Sequence, residues 1–174
     1  MAKAAPKKTA SRKGVAASSA KKPATKKSAP KKSAAKEDKP KIKYSDKSAG
    51  QPQLVPIFNE IAKLLENFHK APLQKNGGKG GQVSLSSTKP VEIAGKKLDE
   101  LYLAGALVQK GYVGFYYFPV YVEPALRAEL APELLKCLKG KTCFHIKKDD
   151  PLIYAQIKDA LKKGYDLYKK RGWI

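Results

Sequence analysis

The first 40 residues contain almost nothing from which a hydrophobic core is built. They comprise 12 Lys, 11 Ala, 5 Ser, 4 Pro and 2 Thr, with no aromatic residue and only Met1 and Val15 as large apolar side chains. A segment that buries no apolar surface cannot offset the conformational entropy lost on ordering, and repulsion between lysines expands it further. The sequence therefore predicts a disordered tail over residues 1–50 and one folded domain over residues 51–174.

Positive charge is concentrated in this tail. The whole chain has 36 Lys and Arg against 15 Asp and Glu, a formal net charge of +21. Residues 1–48 hold 16 basic and three acidic residues, a net +13, whereas residues 51–174 hold 20 and 12, a net +8. Such an excess favours a polyanionic partner, and DNA or RNA is the predicted one.

The basic residues of the tail occur largely in pairs separated by Ala, Ser, Thr and Pro, a composition that resembles the tails of linker histones and bacterial histone-like proteins. Lysines neutralise phosphates and release counterions, with a slope of about −0.9 in log affinity per phosphate. A single Arg and no Asn or Gln in residues 1–44 argue against base-specific contacts. The predicted nucleic-acid-binding residues are Lys7, Lys8, Arg12, Lys13, Lys21, Lys22, Lys26, Lys27, Lys31 and Lys32.

Other roles for a basic tail remain open at this point, because a run of charge indicates affinity for polyanions without naming one. A targeting or solubilising extension and attraction to acidic proteins or anionic lipids are the alternatives. The longest mainly apolar stretch, residues 112–122, is too short to cross a bilayer, and two cysteines without an apolar leader do not suggest a secreted disulfide-rich module. We expect an intracellular protein of the cytoplasm or nucleoid (the nucleus in a eukaryote), without integral membrane association.

Three helices are predicted in the folded part. Apolar residues at helical spacing between Leu54 and Phe68 indicate the first, with Pro56 in its opening turn. Pro132–Lys139 is the second, ended by Gly140, and an Asp-Pro pair at residues 150–151 begins a third that extends to about residue 171.

Alternation and β-branched or aromatic content predict strands at residues 83–86, 91–93, 101–103, 113–118 and 142–146. Lys110–Gly111 fits a hairpin turn, and the glycine-rich run Gln74–Gly81 is interpreted as a loop. The predicted fold class is α+β, a mainly antiparallel sheet with the N- and C-terminal helices packed on it, preceded by the disordered basic tail.

Three runs in the second half of the chain carry a family resemblance. They are Val113–Tyr121 (VGFYYFPVY), Leu130–Leu134 (LAPEL) and Lys139–Lys147 (KGKTCFHIK), followed by the closing amphipathic helix. In this order they resemble the YdhG-like domain of unknown function, over about residues 54–172. The resemblance implies a compact domain with an antiparallel sheet and no assigned activity, although one bacterial branch of the family is described as frataxin-like iron chaperones.

That branch supplies the alternative function, an iron-handling or small-ligand-binding protein whose tail only localises it. It provides no residue-level motif to transfer. The acidic residues of the folded part are scattered, and its net charge of +8 disfavours the accumulation of a hard cation.

Cys143 and His145, two residues apart on a predicted strand, point to one face of it, and Cys137 precedes them by a few residues. A metal centre needs three or four ligands, and only His69 and scattered carboxylates remain to complete one. A catalytic thiol with His145 as base lacks the third group that such sites require. We therefore expect half-buried structural thiols, no cofactor and no enzymatic activity.

Each segment of the folded part that could bind phosphates or bases also has a purely structural interpretation. The run Lys75–Gly81 resembles a phosphate-cradling loop in composition but lacks P-loop spacing, so a flexible connector is favoured. Of the aromatic pairs Tyr116/Phe118 and Phe115/Tyr117, one must be core, and the other is either core or a platform for stacked bases. The basic residues 162–163 and 169–171 either extend the phosphate surface or form a solvated helix face.

Overall fold

The computed structural model describes residues 45–93 and 95–174. The ten predicted nucleic-acid-binding residues of the tail lie outside this range, as do residues 1–44 of the tail for which disorder is predicted over residues 1–50. Residues 45–50 are described, and the Lys47 amide among them donates a hydrogen bond to the Gly80 carbonyl at 2.8 Å. Within the described part the fold is α+β, as the sequence predicts. Its strands are β1 (Leu73–Gly77), β2 (Gln82–Ser87), β3 (Val91–Ile93), β4 (Lys96–Leu98), β5 (Leu101–Gln109), β6 (Tyr112–Tyr117), β7 (Leu138–Lys139) and β8 (Cys143–Ile146). Its helices are α1 (Val55–Glu66), α2 (Pro119–Val122), α3 (Pro132–Lys136) and α4 (Pro151–Lys170), with 3-10 turns at Pro52–Leu54 and Pro124–Glu129.

Six of the strands form one antiparallel sheet in the order β1-β2-β5-β6-β8-β7, and β3 pairs with β4 in a separate two-stranded ribbon. The predicted hairpin turn at Lys110–Gly111 connects β5 to β6. The central position of β5 and β6 agrees with their high apolar content, because central strands are covered on at least one face.

The two long helices begin where the sequence places them. Pro56 lies in the first turn of α1, where its missing N–H leaves no hydrogen bond unmade. At the start of α4 the Asp150 carboxylate accepts a hydrogen bond from the Leu152 amide at 2.9 Å. Both helices bury their apolar stripes against one face of the sheet, and the Tyr117 hydroxyl of β6 donates to the Ala160 carbonyl of α4.

The core lies between these helices and the face of the sheet that they cover, which we call the covered face. Its strand residues are Val83, Leu85, Ala104, Ala106, Val108, Val113, Phe115, Tyr117, Phe144 and Ile146, all of them buried. Of the two aromatic pairs that alternation left open, Phe115 and Tyr117 are therefore the core pair.

A β-bulge interrupts the pairing of β2 with β5. Leu85 pairs with Ala104, but the next residue, Ser86, pairs with Tyr102, so Leu103 is the extra residue. Leu103 is fully buried, and its carbonyl accepts a hydrogen bond from the Phe118 amide at 3.0 Å. Because one residue is added, Tyr102 and Gly105 lie on the same face of the sheet although they are three positions apart.

Several of the predicted element boundaries are wrong. The strand predicted at residues 101–103 continues to Gln109 as β5, and the sequence did not predict β4. The run Gln74–Gly81 is not a loop throughout, because β1 extends to Gly77 and only residues 78–81 form the turn. The second predicted helix ends at Lys136 rather than Lys139, since the chain then turns into β7, and Gly140 has its positive φ of 78° in the β7–β8 connection.

Candidate nucleic-acid interface

The face of the sheet opposite α1 and α4 has no helix of the described chain packed on it, and we call it the open face. Strand register places on it Gln74, Asn76, Gln82, Ser84, Ser86, Tyr102, Gly105, Leu107, Gln109, Tyr112, Gly114, Tyr116, Lys139, Cys143 and His145. Only Ser86 and the two glycines among them are buried. None of these residues is acidic, so the strands present a neutral to positive surface.

Three rings on the open face form what we call the aromatic cluster: Tyr112, Tyr116 and His145. The Tyr112 and His145 rings are stacked, with centroids 3.8 Å apart and planes inclined by 14°. Gln109 connects the two tyrosines, because its side-chain oxygen accepts a hydrogen bond from the Tyr112 hydroxyl while its amide donates to the Tyr116 hydroxyl. Both phenol groups are thus held by one side chain.

Two glycines allow tyrosine side chains to lie close to the sheet backbone. A Cβ atom on Gly114 would stand 3.0 Å from Cε2 of Tyr116. A Cβ atom on Gly105 would contact the Tyr102 hydroxyl and would stand 2.6 Å from the Val83 carbonyl oxygen. The absence of side chains at these two positions therefore makes the room that the tyrosines occupy.

Two tyrosines of the open face, Tyr102 and Tyr116, have pKa values raised above the ordinary value. Burial is the main cause that raises the pKa of Tyr102, and the nearby Tyr116 hydroxyl adds to it. Burial likewise raises the pKa of Tyr116, with a further contribution from Cys143. Neutral phenols carry no repulsion toward a polyanion and remain able to donate hydrogen bonds.

The two cysteines are not activated by their surroundings. Burial raises the pKa of both Cys137 and Cys143, and a nearby Glu133 raises that of Cys137 further. Cys143 and His145 share the open face, as predicted, but the His145 ring stacks on Tyr112. His69 lies beside Glu66 at the end of α1, and no group of three or more His, Cys, Asp or Glu within residues 45–93 and 95–174 is placed to hold a metal ion.

Lysines lie at the β7–β8 edge of the sheet, where a depression of about 370 Å³ is lined by His145 of the open face together with Ile146 of the covered face and Ile153 of α4. We call it the lysine depression, and its charged residues are Lys136, Lys139, Lys147, Lys148, Glu133 and Asp150. Glu133 pairs with Lys136 at 2.6 Å, and Asp150 caps α4. The other three lysines have no carboxylate within 4.0 Å among the described residues.

A second depression, of about 710 Å³, lies at the β1–β2 end of the open face, and Ser45, Asn76, Lys79 and Ser84 are among its lining residues. Ser45 is the first described residue after residues 1–44, which we call the lysine-rich segment. The chain then runs past the β1–β2 turn, where the amide of the next lysine, Lys47, donates to the carbonyl of a turn glycine at 2.8 Å.

The remaining predicted basic residues lie away from the open face or are paired. Lys75 of the glycine-rich segment forms an ion pair with Glu66 of α1. On α4, Lys162 pairs with Asp166 at 2.7 Å and Lys163 with Asp159 at 2.8 Å, while Arg171 beyond it pairs with Glu123. These pairs reduce the positive charge on the helical side of the domain.

Sequence reasoning left two aromatic pairs open as the platform, Tyr116/Phe118 and Phe115/Tyr117, of which Tyr116 lies on the open face. It missed Tyr102, Gln109 and the stacking of Tyr112 on His145. Phe118, the other member of the first pair, lies just beyond β6, at the start of α2, and its ring contacts that of Tyr121 at 5.4 Å between centroids. The sequence signal that could have identified the open face is the alternation of polar and aromatic residues with apolar ones from Gln109 through β6.

Within residues 45–93 and 95–174, no helix combines the length and the apolar character needed to span a bilayer. No protein family, curated protein or solved structure matches this chain. The resemblance to the YdhG-like domain therefore stays a prediction from the sequence.

Proposed function

We propose that this protein is a non-enzymatic, sequence-independent DNA-binding protein whose lysine-rich segment contacts the phosphate backbone. The observation that carries the proposal is the charge of residues 1–48, where 16 basic residues face only three acidic ones. Basic side chains neutralise phosphates, and the segment has no Asn or Gln side chain to read base edges. The affinity for DNA therefore depends on salt concentration and not on the DNA sequence.

The described domain supports the proposal through its charge pattern. Its open face has no acidic residue, and Lys139, Lys147 and Lys148 border it without carboxylate partners in the described structure. Acidic residues lie only at its margins, where Asp46 lines the depression at the β1–β2 end and Glu133 and Asp150 line the lysine depression, so the strands themselves present no fixed negative charge to DNA. The raised pKa values of both cysteines also favour a binding role, because a protonated thiol is a poor nucleophile.

A YdhG-like domain attached to this segment is part of the same proposal, and a frataxin-like iron-handling role is the alternative. Six carboxylates of the described domain already pair with Lys, Arg or His, which leaves fewer of them for a hard cation. Titration of the full-length protein with ferrous iron tests the alternative directly. Stoichiometric uptake would favour it.

The proposal is tested by replacing the ten basic residues of the lysine-rich segment with Gln in the full-length chain. Binding to a labelled duplex is measured by fluorescence anisotropy between about 50 and 200 mM salt. If six of the ten contact phosphate, wild-type affinity falls by about 1,000-fold over this range, and the variant loses most of that dependence. Retention of both affinity and salt dependence in the variant would contradict the proposal.

A matched control carries the same residues in scrambled order over residues 1–44. Its charge and composition are unchanged, so a sequence-independent electrostatic mechanism predicts affinity within about twofold of wild type. A large loss in the scrambled variant would point to a specific motif in the segment and against phosphate neutralisation alone.

A further inference from the structure

We propose that the open face binds a single strand of DNA, whose bases stack on the aromatic cluster and whose phosphates lie toward the lysine depression. This inference deepens the proposed function, since it names the form of DNA that the folded domain selects. The lysine-rich segment does not distinguish single-stranded from double-stranded DNA by any contact to bases, so such selection must come from elsewhere in the chain.

The aromatic cluster offers ring surface in a fixed arrangement. Tyr112 and His145 are stacked at 3.8 Å, and the hydroxyl of Tyr112 is held by the side chain of Gln109. The same Gln109 holds Tyr116, whose ring lies above Gly114 and is only half-buried. Rings already fixed in position lose little conformational entropy when a base stacks on them, which favours binding.

Charge along the open face suits a nucleic acid strand. The six strands place Lys139 and no acidic residue on this face, and His145 is shared between the aromatic cluster and the lysine depression. Aromatic rings beside unpaired lysines are the combination by which proteins bind single strands without sequence preference, the bases on the rings and the backbone on the cations.

Other occupants fit this surface less well. Leu107 is the only aliphatic side chain among its residues, whereas six of them are Gln, Asn or Ser, so the open face is more polar than the apolar centre of a stable protein interface or of a homodimer. Double-stranded DNA keeps its bases paired and stacked within the helix, and therefore presents no base to the rings.

The test compares an oligo(dT) of about 20 nucleotides with a duplex of the same length, using full-length wild-type protein and the double variant Tyr112→Leu, His145→Leu. We expect the double variant to bind oligo(dT) about tenfold more weakly and the duplex within about twofold of wild type. Tyr112→Phe keeps the ring and should retain oligo(dT) affinity within about twofold. Tyr165→Leu on α4, on the other side of the sheet, is the matched control and should change neither affinity.

Photocrosslinking supplies a second measurement that does not depend on variants. An oligonucleotide containing 5-iodouracil, irradiated with the wild-type protein, should crosslink to peptides that contain residues 112–116 or 143–147. Crosslinks confined to residues 1–44 or to α4 would overturn the inference, as would unchanged oligo(dT) affinity in a double variant whose circular dichroism matches wild type.

The two proposals fail in different ways. Loss of oligo(dT) selectivity with intact salt-dependent duplex binding would refute only the open-face proposal. Conversely, tight duplex binding by the variant with ten Gln replacements would refute the role of the lysine-rich segment. The open-face proposal would still be tested in that case, because the oligo(dT) affinity of the double variant Tyr112→Leu, His145→Leu can be compared with that of the control Tyr165→Leu.

Discussion

Tyr116 and Tyr117 are neighbours on β6, yet their side chains lie on opposite faces of the sheet. Tyr117 on the covered face is fully buried, and its hydroxyl donates to the Ala160 carbonyl of α4. Tyr116 on the open face is half-buried, and its hydroxyl accepts a hydrogen bond from the side-chain amide of Gln109. The same residue type therefore fills volume between layers on one face and forms part of a solvent-contacting polar network on the other.

The comparison extends to the neighbours of each ring. The covered face places Phe115, Phe144 and other large apolar residues beside Tyr117. The open face places glycine beneath Tyr116 and a glutamine beside it. The covered face therefore needs large side chains that fill the space below the helices, whereas on the open face glycine allows a tyrosine ring to lie against the backbone. This contrast leads to three measurable differences.

The largest expected difference lies in the two tyrosines themselves. Tyr117→Ala leaves a cavity between β6 and α4 and removes the hydrogen bond from the Tyr117 hydroxyl to the Ala160 carbonyl, so we expect a loss of about 3–5 kcal/mol in the free energy of unfolding. Tyr116→Ala removes a ring that water already contacts in part, and we expect a loss of about 1 kcal/mol. Urea denaturation of the full-length variants measures both values. Similar losses in the two variants would show that the open face is covered in solution.

Glycine substitutions test the backbone of the open face. In Gly105→Ala the new Cβ meets the Val83 carbonyl, which cannot move without disturbing the β2–β5 pairing, so we expect a loss of about 1–3 kcal/mol. In Gly114→Ala the closest atom belongs to the Tyr116 ring, and a side chain can turn away. Gly114→Ala should then cost under about 1 kcal/mol in stability yet weaken oligo(dT) binding. A greater loss of stability in Gly114→Ala than in Gly105→Ala would contradict this assignment.

Alkaline pH gives the smallest of the three effects and distinguishes buried from exposed tyrosines. Burial raises the pKa of Tyr117 and Tyr168 in the folded state above the ordinary value of about 10. The folded protein then holds protons that the unfolded chain loses, so stability is complete below about pH 10 and falls as pH rises further. Each such group contributes a slope of about 1.4 kcal/mol per pH unit.

Tyr117→Phe should make this decline shallower by about 1.4 kcal/mol per pH unit, measured as unfolding free energy between about pH 10 and 11. The control is Tyr121→Phe, because the Tyr121 side chain is 53% exposed. An equal change of slope in both variants would show that burial on the covered face is not the cause.

The elements with a strong apolar period were predictable from the sequence. α1 and α4 have stripes at helical spacing together with clear starting residues, and the β5–β6 hairpin has alternating strands around Lys110–Gly111. β1 resembles a loop in sequence because it is an edge strand of polar residues and glycine with Leu73 as its only buried residue. Such a strand has no apolar alternation from which it could be predicted. β7 has two residues, too few for any pattern.

The candidate site was predictable only in part. Alternation requires that Tyr116 and Tyr117 lie on opposite faces, but aromatic residues occupy both positions, and the packing of α1 and α4 decides which face is covered. The stacking of Tyr112 on His145 joins strands about 30 residues apart in sequence, a distance at which local patterns carry no information. Tyr102 was missed because the bulge at Leu103 breaks the alternation that would have linked it to Gly105.

The bulge at Leu103 lets β5 carry one extra residue without changing the face on which its other side chains lie. Deleting this single residue would restore regular pairing with β2 and would leave Tyr102 opposite Ser86 on the open face and Leu101 opposite Ser87 on the other face. The cost of such a deletion therefore falls on the buried Leu103 side chain and on its carbonyl, the acceptor for the Phe118 amide, while the composition of both faces is preserved.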